Sequence, residues 1–459
     1  MSEKQPTVLH LFCGAGGGAL GFQQAGFRSV GNIDYDAGAV ADIEYLTGEK
    51  ATQADLGTLS PQELADICGE RPDVVFTSPP CKGYSGCLAG ARADNEHYQA
   101  LNSLAFRGIW VALEAWETPP PLIMLENVPR IQSRGKAWLS QIEALLRSYG
   151  YALHRSTHDC GVLGGLAQKR QRFLLVARHM EQVPEYLRVP TPQKHKAVGD
   201  VLAELPVPTP GNDAGGDMHR LPRQSALNWL RLAAIKAGGD WRDLPESIAL
   251  APRASRQNGG FGVNQWDAPA HSVVAEGSVR NTWSSVADPR VPSASRRGTY
   301  GVLDWTQPAK TITGNTRPIN GPFCVADPRS PSARDATYVP EPPRVEAHHG
   351  VDFDNKRPTH LVITAEDGTW HRPMTTLELA VLQGFPAKLR GKWLRFTGNS
   401  HKAWRQRVGN AVPPPTAKAI ATNCAATLAA SAAGSMILSS EAIWVAPRPE
   451  ASTGMEATQ

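Results

Sequence analysis

Along residues 7–180, short apolar runs alternate with stretches of helical period. The runs Thr7–Phe12, Ser29–Asp34, Asp73–Thr77, Leu122–Glu126 and Phe173–Ala177 have strand length and predict strands. Between them, apolar spacing predicts helices at Ala19–Ala25, Ala37–Leu46, Pro61–Cys68, Asn95–Trp116 and Lys136–Tyr149. This alternation predicts an α/β fold, a parallel, doubly wound sheet covered on both faces. From about 181 to 370 the pattern changes to Pro, Gly, Trp and Arg, and helical period persists at Ser225–Ala237. That composition predicts a smaller, mostly β or irregular domain. Helical period returns at Thr375–Gln383 and Pro413–Leu428. The expected organisation is therefore a first domain over 1–180, an insert over 181–370, a return segment over 371–430, and a tail over 431–459.

The insert holds an internal repeat. Residues 261–290 and 300–329 align without gaps at an offset of 39: Trp266 with Trp305, Pro269 with Pro308, and ValAlaAspProArg at 286–290 with the same five residues at 325–329. Two copies are too few for a solenoid and predict a duplicated β-unit, the alternative being two similar loops on a shared surface.

Composition narrows the class. The chain has 459 residues, 41% hydrophobic and 20% charged, so it is globular rather than disordered. The net charge of +4 permits nucleic-acid binding without arguing for it. Within 251–330, 9 basic residues face 5 acidic ones, so the positive charge is local. No run approaches the ~18 apolar residues of a membrane span, and the start MSEKQPTVLH does not resemble a signal peptide. The seven cysteines form no CxxC pair, which argues against a zinc site and a disulfide framework and fits a reduced cytoplasmic chain.

Candidate chemistry lies at the predicted strand ends. Leu11–Phe22 is a strand, a glycine turn and a helix start; Gly14, Gly16 and Gly17 admit a ligand close to backbone amides. Asp34 ends the second strand about 20 residues past the glycines, where an acid binds ribose hydroxyls. Asp55 would end a third strand near an adenine edge. Together these three suggest an adenosyl cofactor. Asp73–Gly86 delivers ProProCys into a loop at the carboxyl edge of the sheet, placing Cys81 as a candidate nucleophile. Glu126 ends the next strand and is the natural general acid. Gln168, Arg170 and Arg172 alternate, so an extended segment would point all three to one face.

These motifs in this order resemble the DNA (cytosine-5)-methyltransferase family. The resemblance rests on the glycine motif, ProProCys at 79–81, GluAsnVal at 126–128, GlnLysArgGlnArg at 168–172, the segment Arg372–Pro386, and GlyAsnAlaValProPro at 409–414. It implies a Rossmann-like methyltransferase domain interrupted by a target-recognition domain at 181–370. It implies S-adenosyl-L-methionine on Leu11, Phe12, Cys13, Gly14, Gly16 and Gly17, with Asp34 at the ribose, Asp55 at the adenine and Asn410 in the last motif. The product is S-adenosyl-L-homocysteine. Cys81 would attack C6 of a cytosine flipped out of double-stranded DNA, and C5 would take the methyl group. Glu126 would bind N3 and the exocyclic amine, which needs a carboxyl kept protonated by its surroundings or given a proton in the complex. Arg172 would hold the O2 side, Arg170 would support the loop, and Pro80, Asn127 and Gln168 would line the substrate site. The base that removes the C5 proton is unassigned, water or hydroxide being one choice. The family expectation is a monomer, with a cognate restriction endonuclease as a conceivable partner.

The sequence departs from the family at four places. His10 stands where an acid is usual before LeuPheCysGly, Lys82 where Gln usually follows ProProCys, Tyr84 where Phe is common, and Cys87 lies six residues past Cys81. None removes a reacting group. Three alternatives stay open: a tRNA cytosine-5 methyltransferase, a catalytically silent DNA-binding regulator, and transfer of another group to C5. The ~190-residue insert weighs against the first, and intact Cys81, Glu126 and Arg172 weigh against the second.

Overall fold

In the computed structural model, the described residues are 5–80, 96–183, 190–208, 214–245, 261–275, 279, 282–290, 302–304, 324–326, 360, 361, 363, 365 and 369–432. Cys81, Lys82, Tyr84, Cys87, most of the unit 300–329 and the tail beyond 432 lie outside them. Strands β1 (Thr7–Leu11), β2 (Arg28–Asp34), β3 (Thr52–Gln53), β4 (Val74–Thr77), β5 (Leu122–Asn127), β6 (Tyr151–Asp159) and β7 (Gln171–His179) form one sheet in the order 3-2-1-4-5-7-6. The sheet is mixed, which corrects the expectation of a parallel one: β7 runs antiparallel to both neighbours, β5 and β6. β7 follows β6 through the link 160–170, whose one short helix is not long enough for the crossover that a parallel strand needs.

Helices α1 (Gly17–Gln24), α2 (Ala37–Thr47), α3 (Pro61–Cys68), α4 (Glu96–Glu114) and α5 (Lys136–Ser148) link the strands. Strand side chains alternate between two cores. Leu9, Leu11, Val75, Ile123, Leu125, Phe173 and Leu175 pack with Leu64, Ile109, Leu139 and Ile142 of α3, α4 and α5. Val8, Phe76, Leu122, Met124, Leu174 and Val176 pack with Phe22 of α1 and Ile420 and Cys424 from the far end of the chain.

α6 (Cys160–Gly164) lies between β6 and β7; beyond β7 the chain forms α7 (Val198–Leu202) and α8 (Ala226–Ala234). In the insert, β8 (Val263–Asn264) pairs in parallel with β9 (Ser285–Asp288), Val263 opposite Ser285. Further on, β10 (Val302–Asp304) pairs in parallel with β11 (Cys324–Ala326), Val302 opposite Cys324. Both partners are displaced by the 39 residues of the sequence repeat, so the two copies share one strand pairing and one register.

β12 (Trp370–Pro373) adds antiparallel to β9. Here the fully buried Arg372 bridges Asp288 at 2.8 Å and Glu378 at 2.7 Å, joining β9 to α9 (Thr376–Leu382). The chain returns through α10 (His401–Asn410) and α11 (Pro414–Ala432), and α11 lies along α1. Glycines allow this approach. A Cβ on Gly17 would overlap the Val412 carbonyl, and one on Gly21 would overlap Ala417 and the Pro414 carbonyl.

Candidate active site

The carboxyl ends of β1, β2, β4 and β5 carry most of the residues that the sequence singles out. At the end of β1 the backbone turns sharply: Phe12 has φ 55°, and Gly14 and Gly16 have φ 54° and 77°. A non-glycine residue in this region is strained and persists only where its surroundings fix it. The Phe12 ring is fixed against α4, where a Cβ on Gly108 would lie 3.0 Å from it. Gly16 caps α1 with no side-chain acceptor. The open space beside Gly14 leaves its Cα face clear to 4 Å.

Asp34 receives the Gly14 amide at 2.8 Å and the Asp36 amide at 2.9 Å, one on each oxygen. Burial raises its pKa, and these amides oppose the rise. Asp36 then caps α2 by accepting the Gly38 and Ala39 amides. Tyr35, between the two acids, is 73% exposed and presents an open ring face at the sheet edge. Sequence reading did not single out Tyr35, whose available signal was an aromatic directly after Asp34. Asp55 follows β3 and accepts the Gly57 amide at 2.8 Å. Cys13 is tucked inward against the His10 and Ile33 carbonyls, and burial raises its pKa, so it is a protonated thiol.

Two hydrogen bonds tie the ProPro segment to β5. Ser78 donates to Glu126 at 2.7 Å, and Asn127 Nδ2 donates to the Pro79 carbonyl at 3.2 Å. Residues 78 and 79 are therefore anchored on the strand that carries Glu126. Ser78 had a legible signal, a hydroxyl three residues before the cysteine. Arg172 Nε lies 3.0 Å from Glu126, both side chains being largely shielded from water. Cys160 is buried near these charges, and burial raises its pKa to about 11.

Gln168 and Arg170 face a different partner from Arg172. Gln168 is fully buried; it donates to the Leu382 carbonyl and to Gln383, and it accepts the Val273 amide. Arg170 donates to the carbonyls of Val273 at 3.0 Å, Gly409 at 2.9 Å and Ala411 at 3.1 Å. These two residues join three distant parts of the chain, whereas Arg172 reaches Glu126. β7 begins only at Gln171, so the preceding segment does not carry all three side chains to one ligand as extended backbone would. Asn410 ends α10 as an exposed residue, one position past the Gly409 carbonyl that Arg170 holds. His10 points away from the strand end into the core under α1, edge-on to Phe22 at 5.1 Å and Phe76 at 5.9 Å. Burial lowers its pKa to about 3, so it is a neutral core imidazole. Among the described residues, no cluster of His, Cys, Asp or Glu has metal-binding geometry and no helix is long and apolar enough to cross a membrane.

A glycine turn, an acid at the end of β2, and a 3-2-1-4-5-7-6 sheet with its seventh strand reversed define the class: an S-adenosylmethionine-type methyltransferase fold. The chain belongs to the C-5 cytosine-specific DNA methylase family, whose model matches residues 7–426. It is 26% identical to the Type II methylase M.HgiDII of Herpetosiphon aurantiacus over 279 residues, 59% of this chain and 76% of that one. It is 28% identical to the Type II methyltransferase M1.HphI of Haemophilus parahaemolyticus over 53% of this chain and 64% of that one. Against M.XorII of Xanthomonas oryzae pv. oryzae the identity is 30%, over 44% of this chain and 47% of that one. The matches thus span between about half and three quarters of these relatives. The Entamoeba histolytica methyltransferase EhMeth shares the fold with a TM-score of 0.55 at 13% identity, covering 92% of this chain and 98% of that one. A Spodoptera frugiperda DNMT2 variant has a TM-score of 0.50 at 12% identity, over 91% and 97%.

Proposed function

We propose that this chain transfers a methyl group from S-adenosyl-L-methionine to C5 of a cytosine flipped out of duplex DNA. The observation that carries this reading is the Arg172–Glu126 pair beside the anchored ProPro segment. A flipped base is read along its Watson–Crick edge. In cytosine the ring nitrogen N3 lies between the exocyclic amine and O2. Glu126 serves N3 and the amine, and Arg172, 3.0 Å away, serves O2, so neighbouring side chains meet neighbouring atoms of one edge. As negative charge develops on the ring, the guanidinium stabilises it. Cys81, the residue after Pro80 in the sequence, supplies the thiolate that attacks C6; after C5 takes the methyl, an unassigned base removes the C5 proton and the C6–S bond breaks to free the thiolate.

The donor set at β1 and β2 fits the cofactor. The Asp34 oxygens each keep a lone pair for a ribose hydroxyl beyond the amide they already accept. Tyr35 offers a stacking face and Asp55 a carboxylate at the adenine end. The amides of the first turn of α1, which no side chain caps, favour the methionine carboxylate. The bound cofactor supplies the electrophilic methyl; the residues here orient it and exclude water. Arg170 and Gln168 act on this site through the seam that they build, and Asn410 adjoins it one position past the Gly409 carbonyl. Residues 181–370 are the target-recognition region, in which the units 261–290 and 300–329 form a duplicated framework. The chain acts as a monomer beside a restriction endonuclease of the same specificity, a reading for which the Type II naming of the relatives supports only the restriction-modification setting.

Nucleoside mass spectrometry on DNA from a methylation-free bacterial host tests this. Expression of the wild type should yield 5-methylcytosine and a Cys81→Ser variant should not. A heavier cytosine would overturn the donor, and unmodified DNA with soluble wild-type protein would overturn the substrate.

A further inference from the structure

We propose that His158 is a positioning residue of the cytosine pocket, an uncharged ring that braces Arg172 toward Glu126 from the neighbouring strand; this rests on the cytosine reading of the site. His158 lies on β6 as the direct cross-strand partner of Arg172 on β7. Two residues further along β7, Leu174 is the partner of Glu126 on β5. Partners across a ladder share a face, and so do alternate residues of one strand. His158, Arg172 and Glu126 therefore form a row over three adjacent strands, on the face that carries Met124 and Val176 into the α1–α11 core.

The charges around the ring define its state. Glu126 and Asp159 favour a proton on His158, and Arg172 opposes it, but burial prevails and lowers its pKa to about 4. Asp159 is engaged elsewhere: its Oδ1 accepts the Gly161 and Arg170 amides, and its Oδ2 lies 3.3 Å from His195. Cys160, the next residue, is a protonated thiol and adds no charge. A neutral ring suits the row. A second cation there would compete for Glu126 and repel Arg172 just where one guanidinium must stay aimed at one edge of the base. With the ring in place, Arg172 has a wall on its far side and a carboxylate on its near side, which restricts its rotamers before the substrate arrives.

The test compares His158→Ala, His158→Asn and His158→Lys with the wild type. The readouts are kcat, KM for duplex DNA, the pH profile of kcat, and Tm. Loss of the brace misaims Arg172, so His158→Ala should lower kcat by about 10- to 100-fold while KM changes less than about threefold. His158→Asn, neutral and polar, should recover kcat to within about fivefold of wild type, and His158→Lys should be worse than Ala. Protonation of His158 would put a second cation in the row, so the part of the acid limb of the kcat profile that it causes should be absent from both His158→Ala and His158→Asn. Wild-type kcat and pH profile in His158→Ala would overturn the proposal. A loss of kcat that tracks Tm equally in all three variants, without recovery by Asn, would overturn it too, showing a merely structural ring. If the wild type itself makes no 5-methylcytosine, the parent reading fails and takes this one with it.

Discussion

Replacing Arg170 by Ala should unfold the protein more readily rather than merely slow it. The Arg170 side chain is 1% exposed and donates to three carbonyls, those of Val273, Gly409 and Ala411, all on buried residues. Truncation leaves these acceptors without their donor in a site closed to water. An unsatisfied buried polar group costs about 1–3 kcal/mol, and because the three share one relaxation, roughly 3–6 kcal/mol is a fair total. Against a typical stability of about 5–15 kcal/mol, that is a large fraction. A lowering of Tm on the order of 10 °C follows if about 2–4 °C is lost per kcal/mol. Differential scanning calorimetry of Arg170→Ala beside Arg172→Ala measures it. Arg172→Ala should hold its Tm within a few degrees, since Glu126 keeps Ser78 as a donor, and should lose kcat. An Arg170→Ala variant with wild-type Tm and abolished methylation would refute the assignment and return Arg170 to the substrate.

Glu126→Gln should lower kcat by about 10²–10⁴-fold with DNA affinity nearly unchanged, as measured by methyl transfer from labelled cofactor and by equilibrium binding. Gly17→Ala should cost stability by about 1–3 kcal/mol because the added methyl overlaps the Val412 carbonyl, whereas Gly14→Ala meets no atom within 4 Å and should cost only the φ 54° strain, about 1–2 kcal/mol; urea unfolding separates them. Asp42, buried against Arg407 and the Thr397 amide, has its pKa raised to about 6 by burial. A carboxyl that holds its proton more tightly when folded contributes stability below its unfolded pKa and loses it as pH rises through the folded one. The wild type should therefore lose Tm relative to Asp42→Asn between about pH 4 and pH 6, and parallel curves would refute the burial effect.

The regular half of the fold was legible because its strands are short, continuous and apolar. Pro61–Cys68 has the bounds expected of it, and all six residues of β5 are buried. β6 escaped because TyrAlaLeuHisArgSerThrHisAsp is polar at most positions and only Tyr151 is fully buried. An edge strand is written in pairing, not in apolar pattern, and His158 was hidden with it. The reversal of β7 was hidden for the same reason, since direction follows from the connection to β6. At the site, Asp34 and Glu126 could be placed because strand ends face the ligand edge in this class of sheet. Arg170 and Gln168 could not be sorted from Arg172, because their partners lie 103 to 241 residues away and no local spacing encodes them. His10 stands at a position where an acid is usual in the resembled family, and the alternation of β1 turns it into the core among Phe22 and Phe76.

The seam at Arg170 also sets a timetable for synthesis. Arg170 leaves the ribosome long before the Ala411 carbonyl that it must hold, 241 residues later. At about 5–20 residues per second, that interval is roughly 10–50 s. Throughout it the glycine face of α1 has no α11 to cover it, and the sheet already carries most of its strands. The nascent chain is thus a nearly complete sheet with an open flank, a state in which transient chaperone cover has a defined address.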